Sequence, residues 1–548
     1  MGSQRARTPR TLGMRQAQRM LAAAAESERT GLPVDELLGR AAEDRGGQER
    51  GLTRRELIGT GAGIAAGVAL AGGPAGALAR SLRRTGAPRI AIVGAGLAGL
   101  RCAHMLWTES PGSPLAATVY EANPERAGGR CWTLRDYFAD GLLTEHGGSF
   151  LNSNQTAVRA LGARLGLNEE IVDGGDLPSG DEVFYIGGSL YTVAEASADW
   201  QAFGFDAFRR AVKQARSGGG EARLDAMSVP EWLDSTPIGS SSRFGKLMMA
   251  NTVTENGGDP ADQSALDLIE LLAGDPRSSP LPLPGDDERY HLIGGNDQLV
   301  SGMIAQLPPE AVQHDHALVA VCANGDRTTT LSFATGGSTL EVTADYVVMA
   351  LPFSTLRDVD LSKSGLSTEK RRVIRTMGMG TNAKIHLELS RKTWPSLGYS
   401  GATYGEWQRL ACGWDDTVQL GPDASPALYL AFPGGKFGAS GITGQAHGAA
   451  PAADVSFALG ELEHVFPGTT AAFTGRAYED HWALDEWVRG AYSYYRVGQA
   501  ATYGALAGKT ESRILFAGEH TSIVNIGFLD GAVETGERAA RRLLHRLT

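Results

Sequence analysis

The chain has 548 residues, 51 of them basic and 62 acidic, giving a formal charge of −11, and only four cysteines. It is too long for one ordinary domain and can bury a large core. Its acidic balance argues against nucleic acid or an anionic membrane as partner and suits a cationic small molecule. Cys102, Cys131, Cys322 and Cys412 form no C-x-x-C and no Cys/His cluster, so no metal site is assigned, although an exported chain could pair two of them.

Residues 1–79 carry 11 Arg and eight acidic residues, which leaves −14 on the remainder. Thr53-Arg54-Arg55-Glu56-Leu57-Ile58 resembles the twin-arginine export motif. An uncharged stretch from Leu57 to Leu78 follows, with seven glycines and one proline, and Ala77-Leu78-Ala79 offers a small-x-small cleavage site. So much Gly and Ala makes a weakly hydrophobic, poor helix, and no stable membrane anchor is expected. The leader implies the twin-arginine export machinery as partner and a periplasmic or extracellular location.

Next comes a short apolar strand, Ile90 to Val93, running into Gly94-Ala95-Gly96-Leu97-Ala98-Gly99 and an amphipathic helix that holds Cys102. Gly94 permits the tight turn, Gly96 lets backbone N–H groups approach phosphates, and Gly99 lets helix and strand pack closely. A second strand, Thr118 to Tyr120, ends in Glu121, 22 residues past Gly99, where a carboxylate accepts hydrogen bonds from ribose hydroxyls. This is a dinucleotide-binding unit. In Arg126-Ala127-Gly128-Gly129-Arg130, small residues let the backbone pass close to a cofactor and a guanidinium can pair with phosphate.

Further along, residues 153–287 read as helix-rich, with an N-cap at Ser228 before Pro230. Gly294-Gly295 is a turn opening a helix. Ala317 to Val321 and Tyr346 to Pro352 read as buried strands, with a hairpin between them at Gly336-Gly337. Thr381 to Leu389 alternates polar and apolar residues, so Lys384 shares one face of a strand. Strands are also expected at Ala427 to Phe432, Gly475 to Tyr478 and Ala491 to Tyr495.

These motifs together resemble those of the flavin amine oxidase superfamily. R-x-G-G-R stands at 126–130, E-x-G-G-S at 145–149, G-G-x-x-x-L at 294–299 and W-x(7)-G-x-Y at 482–492. F-A-G-E at 516–519 is followed by G-[FY]-x-x-G-A at 527–532. The resemblance implies FAD rather than NAD, held at Gly94, Gly96, Gly99, Glu121, Gly129 and Arg130. It brings Gly147, Gly148 and Ser149 near the flavin, the Leu318 backbone to adenine, and Gly518 and Glu519 to the pyrophosphate and ribityl chain. The helix N-terminus at Gly531 and Ala532 would face the flavin ring, and Glu534 and Glu537 would be solvated.

By the same resemblance, Lys384 holds a water against flavin N5, Lys392 and Arg391 being solvated, while Tyr492 and Phe528 form an aromatic cage for the amine, with Tyr494 and Tyr495 as packing residues. Phe528 replaces the tyrosine common in monoamine oxidases, so a two-tyrosine cage is not expected. Ala491 stands where some relatives bond FAD through cysteine, which implies noncovalent FAD. L-amino-acid oxidases usually place an arginine just after E-x-G-[GA]; here Phe150-Leu151-Asn152 follows, leaving Arg489 as an alternative grip for a carboxylate.

The implied fold class is α/β, a two-domain flavoprotein. Its Rossmann-like FAD-binding domain is discontinuous (85–152, 288–362 and 508–548), and an α+β substrate domain with a mixed sheet spans 153–287 and 363–507. The implied reaction oxidises a small-molecule amine to an imine, then aldehyde and ammonia, with O2 reduced to H2O2. An L-amino-acid oxidase, a flavin desaturase and a noncatalytic FAD-binding protein remain as alternatives, and the oligomeric state, a homodimer included, stays open.

Overall fold

Ile90–Val93 is apolar at every position and buried on both faces, as befits a central strand of a parallel sheet. In the computed structural model, which describes residues 88–110, 114–172, 180–273, 288–406 and 411–547, it pairs in parallel with Ala117–Tyr120 on one side and Tyr346–Met349 on the other. Ile514–Phe516 and Val312–Gln313 complete the five-stranded sheet. The leader, with its twin-arginine motif, lies outside the described residues. Among those residues no helix is long and apolar enough to cross a membrane.

Helix Leu97–Thr108 follows the first strand, and the C-terminal helix Leu529–Leu547 packs along it. Their backbones approach so closely that a Cβ at Gly536 would lie 2.3 Å from the Ala98 carbonyl oxygen. Glu537 is not a solvated first-turn residue: it pairs with the buried Arg101 guanidinium at 2.8 Å. Glu534 likewise accepts from the Ser522 hydroxyl. Both corrections have one cause, since the helix face expected in water lies against another element.

The hairpin forms as expected, with Thr335 opposite Ser338 and positive φ at Gly336 and Gly337. Its neighbour Ala317–Ala323 is a strand but not a buried one, because this three-stranded antiparallel sheet leaves residues such as Val319 in solvent (41% exposed).

A second, eight-stranded mixed sheet carries Lys384–Leu389 near its centre, between Phe473–Asp480 and Ala427–Ala431. Ile385, Leu387 and Leu389 join the apolar core beneath helix Ala452–Glu463, and Lys384, His386 and Glu388 are buried as well. Just beyond, Lys392 is buried rather than solvated: its ammonium pairs with Asp415 at 2.8 Å and donates to the Thr417 carbonyl. The strand expected at Ala491 to Tyr495 contracts to Ser493–Tyr494, paired with Gly378–Met379, and the Ala491 carbonyl accepts from Arg130 rather than from a neighbouring strand. Tyr494 and Tyr495 are buried packing residues.

Helices between 205 and 273 cover the far end of this sheet. Ser228 and Glu231 form a reciprocal capping box with Pro230 in the first turn. Helix Arg243–Asn256 ends at Gly257, where the Asn382 amide donates to the Thr254 carbonyl and fixes the helix end beside the Lys384 strand. All four cysteines are free, and Cys102 is buried in its helix.

Candidate active site

A cavity of about 470 Å³ runs from the edge of the parallel sheet to the face of the mixed sheet. Gly94, Gly96, Glu121, Gly129, Arg130, Gly147, Gly148, Ser149, Leu318, Lys384, Tyr492, Gly518, Glu519, Phe528 and Ala532 all line it. Residues separated by more than 400 positions thus meet around one space. Two expected residues stand behind the wall. A Cβ at Gly99 would sit 2.0 Å from the Gly94 carbonyl oxygen, and one at Gly531 would sit 1.9 Å from that of Asn525. Both are close-packing positions, not contact positions.

The first end of the cavity fits a dinucleotide pyrophosphate. A Cβ at Gly96 would meet nothing nearer than 3.9 Å, so the space in front of it is open, and no side chain caps helix Leu97–Thr108. Its uncapped N-terminal N–H groups and dipole favour an anion there. Glu121 is fixed at the wall by the N–H groups of Ala95 (2.7 Å) and Asn123 (2.9 Å), leaving lone pairs for ribose hydroxyls.

Glu519 and Arg130 also bind each other. The Arg130 Nη1 donates to Glu519 (2.8 Å) and to the Ala491 carbonyl (2.7 Å), and Glu519 also accepts from the Ser493 hydroxyl and the Gly527 N–H. Both carboxylate oxygens are thereby engaged by protein. Glu519 acts as a knot between three cofactor motifs, and much of Arg130's charge is matched by it rather than reserved for phosphate.

Lys384 occupies the wall between the two ends. Its ammonium donates to the carbonyls of Glu145 and Gly147, each at 2.7 Å, and to the Ser149 hydroxyl at 2.8 Å. Three protons meet three protein acceptors, so a water would have to displace one of them. Burial pushes its pKa down, opposed by Asp416, Asp480 and Glu145. The group therefore clamps residues 145–149 as well as presenting charge.

The same segment is held from behind by a buried network that sequence reasoning missed. Asp480, opposite Lys384 in register, hydrogen-bonds His146 (2.7 Å), His447 (2.7 Å) and His386 (3.1 Å). Burial opposes ionisation of Asp480, yet the three imidazoles hold it well below the usual carboxylate range. His146, His447 and Asp480 bring three ligand-type atoms within 4.8 Å, but the 2.7 Å contacts are hydrogen-bond distances. Trp132 stacks on His146, and the Trp482 indole N–H donates to the His146 carbonyl. The one sequence signal was the polar run Lys384, His386, Glu388 inside an apolar strand.

The far half of the cavity is aromatic. Phe150, Tyr404, Trp414, Phe432, Tyr492 and Phe528 line it, with Cys412, Asn382 and Glu288. Trp414 lies 5.7 Å from Phe150 and 5.4 Å from Phe432 between ring centroids. The Tyr492 hydroxyl donates to the Thr254 carbonyl at 2.6 Å, which fixes that ring. Arg489 does not serve this half: it pairs with Asp358 on the side of the parallel sheet.

Comparison with known proteins agrees with this geometry. The family profile described as flavin containing amine oxidoreductase matches residues 97–544. The flavin-containing amine oxidase A of Equus caballus is 24% identical over 488 residues, covering 84% of this chain and 85% of that protein. An L-amino-acid oxidase of Pseudechis australis is 25% identical over 491 residues, covering 84% and 87%. Among solved structures, cyclohexylamine oxidase from Brevibacterium oxydans IH-35A superposes with a TM-score of 0.69 at 22% identity, over 84% of this chain and 99% of that one. Putrescine oxidase bound to putrescine gives 0.67 at 23%, with the same coverage.

Proposed function

The chain belongs to the flavin-containing amine oxidoreductases, FAD-dependent enzymes that act on amines, and from that premise we propose that it converts a primary or secondary amine to an imine, which water hydrolyses to an aldehyde. The observation that carries this over amino acid oxidation is the distribution of positive charge. Among the described residues, the arginines lining the cavity (Arg126, Arg130 and Arg489) belong to its cofactor side, and Lys384 has its three donors engaged. Among the described residues, the aromatic half offers no guanidinium for a substrate carboxylate.

FAD held between the Gly96 turn and Glu121 would supply a two-electron acceptor for the amine's C–H hydrogen, with O2 as the terminal oxidant reduced to H2O2. The chain's own contribution is placement and desolvation. Tyr492, held by Thr254, and Phe528 wall the amine. Their π faces attract it as a cation on entry. Loss of water in this apolar chamber favours the neutral amine, so no side-chain base is required. Lys384 keeps residues 145–149 in register and fixes a buried positive charge beside them. With Ala491 beside Tyr492, FAD is held noncovalently, and acid precipitation should leave it in the supernatant.

Anaerobic addition of amines should bleach the flavin absorbance of the purified protein, with peroxide appearing once air is admitted. Bleaching by amino acids alone would instead favour the L-amino-acid oxidase reading, and bleaching by nothing tested would leave a binding protein. We further propose that residues 1–79 direct twin-arginine export: Arg54→Lys combined with Arg55→Lys should retain the precursor in the cytoplasm, and normal secretion of that double variant would discard this reading.

A further inference from the structure

Lys384, Asp480 and His447 form a row across three adjacent strands of the mixed sheet, since Asp480 pairs with Lys384 on one side and with His447 on the other. His447 lies on the edge strand His447–Ala449, where its side chain is 14% exposed, and it reaches beyond the sheet. Its Nδ1 bonds Asp480 at 2.7 Å, and its Nε2 bonds Asp485, in the strand-free loop 481–492, at 3.0 Å. Burial opposes ionisation of both carboxylates, yet histidine contacts hold each below the usual range. An ionised carboxylate only accepts, so both ring nitrogens of His447 donate and the ring carries its second proton. Burial opposes that charge too, and the two carboxylates outweigh it, raising the pKa.

This bridge joins two walls of the cavity. On one side Asp480 bonds His146, whose neighbours Glu145 and Gly147 give their carbonyls to Lys384. On the other, Asp485 shapes the loop: its Oδ1 accepts from the Trp487 N–H and its carbonyl from the Arg489 N–H, each at 2.8 Å. Trp482, Trp487, Val488, Arg489 and Tyr492 of that loop line the cavity. The Trp482 indole bond to the His146 carbonyl is a second, uncharged tie. Resting on the amine-oxidising reading above, we propose that His447 is a positioning residue, a charged latch that keeps the loop bearing Tyr492 in register with the strand bearing Lys384. Facing His447 are Asp480, Asp485 and His146 (ring centroids 5.8 Å apart), with the Trp132 and Trp482 rings. Behind the carboxylates stand His386, 3.1 Å from Asp480, and Arg126, 3.9 Å from Asp485. When His447 loses its second proton at alkaline pH, one nitrogen turns a lone pair toward a carboxylate and that bond breaks.

FAD-loaded wild type and His447→Gln provide the test. The glutamine amide donates from a single atom, so it cannot span both carboxylates, while the Trp482 tie stays in place. Hydrogen exchange followed by mass spectrometry at neutral pH should speed up at least fivefold in peptides covering 481–492 and stay within twofold in Leu97–Thr108. In stopped-flow mixing with saturating amine, the limiting rate of flavin reduction should fall at least fivefold in the variant, with KM within threefold. The wild-type rate should decline on the alkaline side, and that limb should be absent from His447→Gln, where Lys384 is still present. Wild type alone gives a further check, because protection of 481–492 should drop through the same alkaline range. Unchanged loop exchange in His447→Gln, or an equal rise throughout the protein, would overturn the latch. Faster loop exchange with unaltered flavin reduction at every pH would overturn the positioning role. If no amine reduces the wild-type flavin, that role falls with the amine-oxidising reading, and exchange still decides whether the latch exists.

Discussion

Gly96 separates folding from cofactor binding within one residue. Its backbone (φ −72, ψ 176) suits any L-residue, and a Cβ there meets no atom closer than 3.9 Å, yet the space it would enter is the pyrophosphate cradle. Gly96→Val should therefore fold normally and purify colourless. Circular dichroism and thermal midpoint should match the wild-type apoprotein, while flavin absorbance should fall at least tenfold. A yellow Gly96→Val protein would remove this end of the cavity from cofactor binding. Lys384 makes the complementary case, because its loss should spare FAD and impair turnover. Lys384→Met leaves the Glu145 and Gly147 carbonyls and the Ser149 hydroxyl without their common donor. Stopped-flow absorbance should show flavin reduction or reoxidation slowed at least tenfold with the cofactor retained, and unchanged rates in both halves would take Lys384 out of the mechanism.

Between elements, a buried ion pair joins the first helix to the last. Arg101 is 3% exposed and divides its guanidinium between Glu537 and Glu109. Removing one partner of a buried ion pair strands the other. Glu109 still matches part of that charge, so Glu537→Ala should destabilise the protein by about 3 kcal/mol, at the low end for buried pairs. Chemical denaturation would measure it, and a change within about 0.5 kcal/mol, the range of an ordinary surface substitution, would show the pair to be dispensable. None of this was legible in the sequence. Glycines at fixed spacing betray themselves because backbone geometry demands the residue type, and so does a strand–glycine–helix order. Glu537 and Lys392 look like solvated charges because their partners lie 436 and 23 residues away and nothing local marks them. Glu519 was found, but its bond to Arg130, 389 residues away, was not foreseen for the same reason.

At the scale of the whole molecule, the folding units are tied together by titratable side chains, and this predicts how stability varies with pH. His291, on Tyr290–Leu292, bonds Glu145 at 2.9 Å and faces Glu170 across an antiparallel pair. Burial disfavours its charged form, but the two carboxylates outweigh that and raise its pKa to about 9. A histidine whose pKa rises from 6.5 on folding stabilises the protein fully below pH 6.5 and loses that contribution as pH climbs through 9. At about 1.4 kcal/mol per unit, the amount at stake is about 3 kcal/mol. Lys370 works in the opposite sense: burial lowers its pKa to about 7, so stability gains from it as pH rises between about 7 and 10.5. The raw pH profile therefore mixes the two, and the variant His291→Gln separates them, because Lys370 is common to both proteins. The stability gap between wild type and His291→Gln should be widest near pH 6, shrink through pH 7 to 9, and nearly close by pH 10. A gap that stays constant across that range would show that His291 contributes packing alone.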